Sequence, residues 1–263
     1  MLRTTDFLAN RSLRALRDGE LSIGTVAIAN SATAAGMLAR SGLGHVVVDL
    51  QHGEWDEGGR IEAIRSISVQ GSTPIVRVAS NTFADIGRAL DIGALGVVVP
   101  MVNNASEARR AAAATRYPPV GERSVSHPLA VHYPVNYWDR ANDEVMLIVQ
   151  IETAEGIRNA EEIASTDGVD AIMAGPTDIW FSTGKVIGSS DHDAALKRVL
   201  DACRAAGKIP GTFAGTSELA KKWIDEGFRL LTVGTDLGYL SGGVRHMVDE
   251  IEARRNAQAA NVP

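Results

Sequence analysis

Short runs of apolar, mostly β-branched residues alternate with longer amphipathic stretches along the whole chain. The runs that predict strands are SIGTVAIA (22–29), HVVVD (45–49), PIVRV (74–78), LGVVVP (95–100), VMLIVQIE (145–152), DAIMAG (170–175), KIPGTFA (208–214) and RLLTVG (229–234). Runs such as Val97–Val99 are apolar on both faces, as in a parallel sheet covered by helices. Between them, DEGGRIEAIRSISVQG, TFADIGRALDIGA, NASEARRAAAATR and AEGIRNAEEIAS carry helical spacing. Asn104 and Thr153 stand where N-caps belong, and several stretches end in glycine near a C′ position. Eight strand–helix units in a chain of 263 residues predict an α/β fold, a (β/α)8 TIM barrel with an N-terminal helix, over a single domain 1–263. A doubly wound open sheet is the alternative, but such sheets usually close with fewer strands.

One segment breaks the alternation. Residues 116–143, between the fourth and fifth strands, hold four prolines, three tyrosines and a tryptophan. Long ordered segments of this kind often act as lids or interfaces, so the insertion is expected over the active end of the barrel or against another subunit. The C-terminal ARRNAQAANVP is expected to fray.

Bulk properties narrow the function classes. Apolar residues make up 45% and charged residues 22% of the chain, enough to bury a core without disulfides or structural metal. The formal charge of −6 argues against a nucleic-acid partner. No apolar run approaches the roughly 18 residues of a membrane span, and the N-terminus has no apolar signal core. The single Cys203 fits a reducing, cytoplasmic setting and sits on a helix pattern that reads as packing.

Candidate chemistry collects at the C-terminal ends of the predicted strands, where TIM barrels carry their active sites. Asp49 ends the second strand and His52 follows it; Arg77 comes late in the third. Gln150 and Glu152 end the fifth, two residues apart and so on one face. Asp178 lies in AGPTDIW just past the sixth. Any one of these alone reads as a loop brace or a surface residue. So many in register do not, because burying a charge costs several kcal/mol unless it is paired or coordinated. Glu152 and Asp178 suit a hard divalent cation such as Mg²⁺, and not structural zinc, since no Cys or His accompanies them. The backbone N–H groups around Thr177 and Asp178 are placed to hold a carboxylate. Arg77 supplies a fork for a developing oxyanion, and His52 a proton shuttle near neutral pH.

Taken together, DLQHGEWD, PIVRV, DIGALGVVVPMVNNASEA, ATRYPPVGERS, VQIETAEGI and GVDAIMAGPTDI resemble the HpcH/HpaI aldolases, in order from about residue 20 to about residue 240. The resemblance implies a metal-dependent (class II) pyruvate aldolase using Mg²⁺, Mn²⁺ or Co²⁺. Such an enzyme cleaves a 4-hydroxy-2-oxo acid reversibly to pyruvate and an aldehyde. It also implies a homohexamer, a trimer of dimers, with C-terminal helices packing across subunits. His52 matches the family's base, Arg77 the residue that stabilises the enolate, Glu152 and Asp178 the metal ligands. Gln150, Thr177 and Asp178 match the substrate contacts. Asp91 matches an acid that raises the basicity of the histidine; it precedes the fourth strand and so reaches a histidine only across a subunit interface. Asp49, three residues before His52, is the nearer candidate for orienting the ring. Gln51 stands where many members have Glu, Val26 where the first strand often has Trp, and Thr177 where Ala is frequent. These departures touch the aldehyde pocket, expected against Val26, Trp55, the Arg123–Ser124 stretch and Phe213. Arg123 is the cation expected to meet an acidic aldehyde tail. A Schiff-base aldolase would need a buried strand-end lysine, and Lys185, Lys197, Lys208, Lys221 and Lys222 fall on loops or helices. The other readings are a lyase of the citrate-lyase β or malyl-CoA type, and a non-catalytic barrel that binds a metal–oxo-acid complex.

Overall fold

The computed structural model describes residues 10–125 and 137–260. In chain order the elements are α1 (Arg11–Arg17), β1 (Ser22–Ala27), α2 (Ala32–Arg40), β2 (His45–Asp49), α3 (Glu57–Val69), β3 (Thr73–Arg77), α4 (Phe83–Asp91), β4 (Gly96–Val99) and α5 (Ala105–Thr115). Then follow α6 (Tyr137–Glu144), β5 (Met146–Ile151), α7 (Ala154–Arg158), α8 (Ala160–Ala164), β6 (Ala171–Ala174), α9 (Pro176–Thr183), α10 (Ser190–Ala206), β7 (Ile209–Ala214), α11 (Ser217–Glu226), β8 (Leu230–Thr235) and α12 (Asp236–Ala260). The eight strands are parallel and close into a barrel in sequence order, β8 pairing back onto β1.

The doubly apolar strands have two cores to fill. Val46, Val48, Val76, Val97, Val99, Leu147, Val149 and Ile172 face outward into the layer beneath the helices. Val26, Val47, Ile75, Val98, Met146, Ile148, Met173 and Leu230 face inward. The alternation within HVVVD is the strand period of two acting on a run that is apolar throughout. The inner core is sealed from below by α1, whose Leu13 and Leu16 pack into it. Asn10 caps that helix through Leu13 N–H and donates its amide to the carbonyls of Leu95 (2.8 Å) and Glu144 (2.9 Å). Glu144 in turn receives the Asn10 N–H at 2.8 Å and ion-pairs with Arg14 and Arg140. The base of the barrel is thus closed by a fully paired polar cluster.

Asn104 and Thr153 cap α5 and α7 through Glu107 N–H and Gly156 N–H. The stretch 154–165 is two short helices rather than one, broken at Asn159, whose amide donates to the Asn103 carbonyl. The insertion is expected over the mouth or against another subunit; its described flanks lie at the N-terminal end of the barrel, where Arg116 pairs with Asp170 just before β6 and the Tyr117 N–H donates to Asn142 on α6. The physical reason is that a helix-to-strand connection begins and ends where strands start. Its centre, 126–136, lies outside the described residues. The tail does not fray from residue 253 but continues α12 to Ala260. That helix leaves Leu237, Leu240, Val244, Met247 and Ile251 exposed along its length. Cys203 is buried in α10, as packing predicts. No described helix is long and apolar enough to cross a membrane.

Candidate active site

A cavity of about 340 Å³ opens at the C-terminal mouth of the barrel. The lining includes Asp49, His52, Arg77, Gln150, Thr177 and Asp178, so six of the residues singled out in sequence meet there. They come from the ends of β2, β3 and β5 and the start of α9, elements separated by up to about half the chain and brought together by barrel closure alone.

Asp49 is the hub of one side. Its carboxylate is fully buried and accepts a two-pronged contact from Arg77, Nε to Oδ1 at 2.8 Å and Nη2 to Oδ2 at 2.5 Å. Oδ1 also accepts the main-chain N–H of Gln51 at 3.0 Å and of His52 at 3.3 Å. Asp49 therefore fixes the Arg77 fork and the loop carrying His52, but it touches the His52 backbone and not its ring. The imidazole is exposed on the rim, with no described group hydrogen-bonded to it.

Glu152 is the hub of the other side. Oε1 accepts the Met101 N–H at 2.8 Å and Oε2 the Gln150 side-chain amide at 2.6 Å. Burial, opposed by the Met101 N–H and reinforced by the negative charge of Asp178, pushes Glu152 up to about 7. Two carboxylates held this close, one of them buried, call for a cation. Both donors are carboxylate oxygens, which a hard divalent ion prefers; among the described residues no third His, Cys, Asp or Glu joins them in a cluster. The remaining positions would fall to water and substrate, as Mg²⁺-type ions prefer. Gln150 Oε1 is buried with no partner, a further acceptor inside the mouth. Gly175 makes the crowding possible, because a Cβ there would lie 2.8 Å from Glu152 Cβ and 3.0 Å from Gln150 Nε2. Pro176 then opens α9, so the N–H groups of Thr177 and Asp178 sit in its first turn with no partner in the helix.

Some residues of the site escaped sequence reasoning. Met101 adopts φ 58°, a left-handed conformation rare for a side chain of this size, and this turn aims its N–H at Glu152. Nothing in VPMVNN signals it, since a backbone angle leaves no mark on hydropathy. Met173 and Thr232 line the floor but read as ordinary strand residues.

Several expected residues lie elsewhere. Asp91 ends α4 at the opposite end of the barrel and accepts Arg123 Nη2 at 3.0 Å; within one chain it does not reach His52. Arg123 is 1% exposed, with its guanidinium 4.5 Å from the Tyr117 ring centre and donating to the Tyr137 hydroxyl. Within one chain it is a structural cation paired with Asp91 and set against two tyrosine rings, and it does not line this cavity. Trp55 turns away from the cavity, donating its indole N–H to the Ala27 carbonyl at 2.9 Å. Val26 and Phe213 do line the cavity.

The fold and the cavity define a barrel enzyme acting on a small, oxygen-rich anion. The chain belongs to the HpcH/HpaI aldolase/citrate lyase family, whose model matches residues 24–242, and it is an aldolase, a carbon–carbon lyase. A 4-hydroxy-2-oxo-heptane-1,7-dioate aldolase of Salmonella dublin is 35% identical over 255 residues, covering 94% of this chain and 96% of its own. A 2-dehydro-3,6-dideoxy-6-sulfogluconate aldolase of Pseudomonas putida is also 35% identical, over 246 residues, with 90% and 95% covered. A crystal structure of a family member from Burkholderia cenocepacia J2315 superposes with a TM-score of 0.88 at 33% identity, covering 93% of this chain and all of that one.

Proposed function

We propose that the protein cleaves a 4-hydroxy-2-oxo acid to pyruvate and an aldehyde, and runs the reverse addition, with a divalent cation (Mg²⁺, Mn²⁺ or Co²⁺) held by Glu152 and Asp178. The observation that carries this reading is that Asp178 and the Asp49-anchored Arg77 line one cavity, with both charges acting on the buried Glu152 behind its wall. When bound, the cation supplies Lewis acidity to the keto group of the 2-oxo acid.

The chain's own groups do the rest. The substrate carboxylate lies against the Thr177 and Asp178 N–H groups and the α9 N-terminus. Gln150 holds Glu152 in place through its amide, and its free Oε1 accepts from a water or a substrate hydroxyl. Arg77 has committed Nε and Nη2 to Asp49, which leaves its other N–H donors for the keto oxygen as negative charge grows there. His52 takes the proton of the C4 hydroxyl, directly or through a water. The C3–C4 electron pair passes to the pyruvate fragment as an enolate and C4 leaves as the aldehyde. Protonation at C3 then gives pyruvate. Asp91 enters only from a neighbouring subunit, to favour the charged form of His52.

A homohexamer with α12 packed across subunits suits both the Asp91 reading and the exposed apolar row Leu237–Ile251, which is large for a free surface. A cytoplasmic setting fits the single free, buried Cys203. The test is pyruvate release from 4-hydroxy-2-oxo acids. EDTA should abolish it and Mg²⁺, Mn²⁺ or Co²⁺ restore it; turnover that survives exhaustive chelation would refute the metal assignment.

A further inference from the structure

The barrel interior carries a buried polar chain that the reaction above does not use. Thr232 on β8, Gly24 on β1 and His45 on β2 stand side by side in the strand register. Gly24 has no side chain to block the row: a Cβ there would meet the His45 ring at 2.3 Å. The ring therefore reaches across β1, placing Nε2 3.2 Å from Thr232 Oγ1 and Nδ1 2.9 Å from Ser22 Oγ. Ser22 Oγ lies 2.9 Å from Ser12 Oγ, which lies 2.8 Å from the Gly44 carbonyl oxygen. Ser12, Ser22, His45 and Thr232 are all buried, and Thr232 opens onto the floor of the catalytic cavity.

The direction of every bond in this chain follows from its far end. A carbonyl only accepts, so Ser12 donates to Gly44. Its single proton is then used, so Ser22 donates to Ser12. Ser22's proton is used in turn, so His45 Nδ1–H donates to Ser22. Burial lowers His45 to about 4 and keeps the ring neutral, so Nε2 carries a lone pair and Thr232 donates to it. Four protons fill four bonds. Thr232 is left with lone pairs alone to show to the cavity.

The position of that hydroxyl gives it a role. The groups that hold the 2-oxo-acid half come from β2, β3, β5 and α9. The remaining wall, formed by β7, β8 and β1, presents Phe213, Thr232, Thr235 and Val26. This is the wall left to face the aldehyde half. We propose that Thr232 is a specificity-determining residue: its hydroxyl, turned into an acceptor by the Ser12–Ser22–His45 chain, selects aldehyde fragments that carry a hydroxyl group to donate to it. His45 acts as a positioning residue for Thr232. This rests on the reading of the cavity as a pyruvate-aldolase site.

The experiment compares addition of pyruvate to glycolaldehyde and to acetaldehyde, which differ by one hydroxyl, in the Mg²⁺-loaded enzyme and its Thr232→Val variant. The ratio of kcat/KM for the two aldehydes should fall by about tenfold or more in the variant. Exchange of the pyruvate methyl protons with solvent should stay at the wild-type rate. An unchanged ratio, with normal exchange, overturns the assignment of Thr232 alone. Absence of exchange in the wild type overturns the aldolase reading and the proposal with it. A second measurement needs no variant: nitrogen-15 spectra of His45 at neutral pH should show a protonated Nδ1 and an unprotonated Nε2. The opposite tautomer would make Thr232 a donor and refute the proposal.

Discussion

Glu144 and Glu152 are both buried glutamates, eight residues apart and at opposite ends of β5, yet their surroundings drive them in opposite directions. At the base, burial raises Glu144, but the Asn10 N–H, Arg14 and Arg140 outweigh it and hold the carboxyl below its usual range. At the mouth, burial also leads; the Met101 N–H and the Arg77 charge oppose it, Asp178 adds a second negative charge, and Glu152 rises to about 7. The base is a closed account of donors and acceptors, and its acid stabilises the fold. The mouth has an excess of acid, and its glutamate is poised to take a cation. The same side chain on the same strand is structural or functional according to which charges face it.

The largest expected effect comes from removing each acid in turn. Glu152→Ala or Asp178→Ala removes a ligand itself, not the outer-shell partner whose loss costs roughly 10–100-fold, and should abolish turnover with little change in unfolding free energy. Glu144→Ala should do the reverse, costing about 1–3 kcal/mol of stability through orphaned donors while kcat holds. Steady-state kinetics and urea unfolding on the three variants decide this; a stable, inactive Glu144→Ala would erase the contrast between the ends.

A smaller effect tests the other side of the mouth. Arg77→Lys keeps the charge but cannot reproduce the fork that grips Asp49 with Nε and Nη2. Loss of one oxyanion donor of this kind lowers kcat by about 10²–10³-fold, and pyruvate proton exchange should slow with it. Exchange at the wild-type rate would remove Arg77 from enolate stabilisation.

The smallest effect lies between the two ends, at His45. Its folded-state value of about 4 lies below the ordinary 6.5. The unfolded chain therefore takes up the proton first as pH falls. The stability His45 contributes is full above pH 6.5 and is lost progressively as pH drops toward 4. That interval is about 2.5 pH units, worth about 3 kcal/mol at about 1.4 kcal/mol per unit. Urea unfolding at pH 7 and pH 4.5 should show His45→Gln losing about 2–3 kcal/mol less than wild type across that interval. Equal losses in the two proteins would mean that the ring is not held neutral by burial.

Much of this molecule was legible before any coordinates. The eight strands appear within two residues of where their apolar runs place them, because a strand covered on both faces must be apolar throughout and helices between them must be amphipathic. Asp49, His52, Arg77, Gln150, Thr177 and Asp178 line the mouth because a strand end is a fixed place in a barrel, and a polar residue at the end of an apolar run marks it. The sequence alone determined fold and family, and it named six of the residues that line the cavity. Tertiary structure decided what each charge faces. Arg123 looks like a free cation in GERS, but Asp91 and two tyrosines enclose it. Met101 reads as a loop residue, but its left-handed turn aims an N–H at Glu152. His45 reads as the first residue of a strand, but its ring crosses Gly24 to set the Thr232 hydroxyl. Hydrophobic periodicity depends on neighbours along the chain and survives in one dimension. Electrostatics and hydrogen-bond direction depend on distances of a few ångströms between residues far apart in sequence, and these exist only once the barrel has closed.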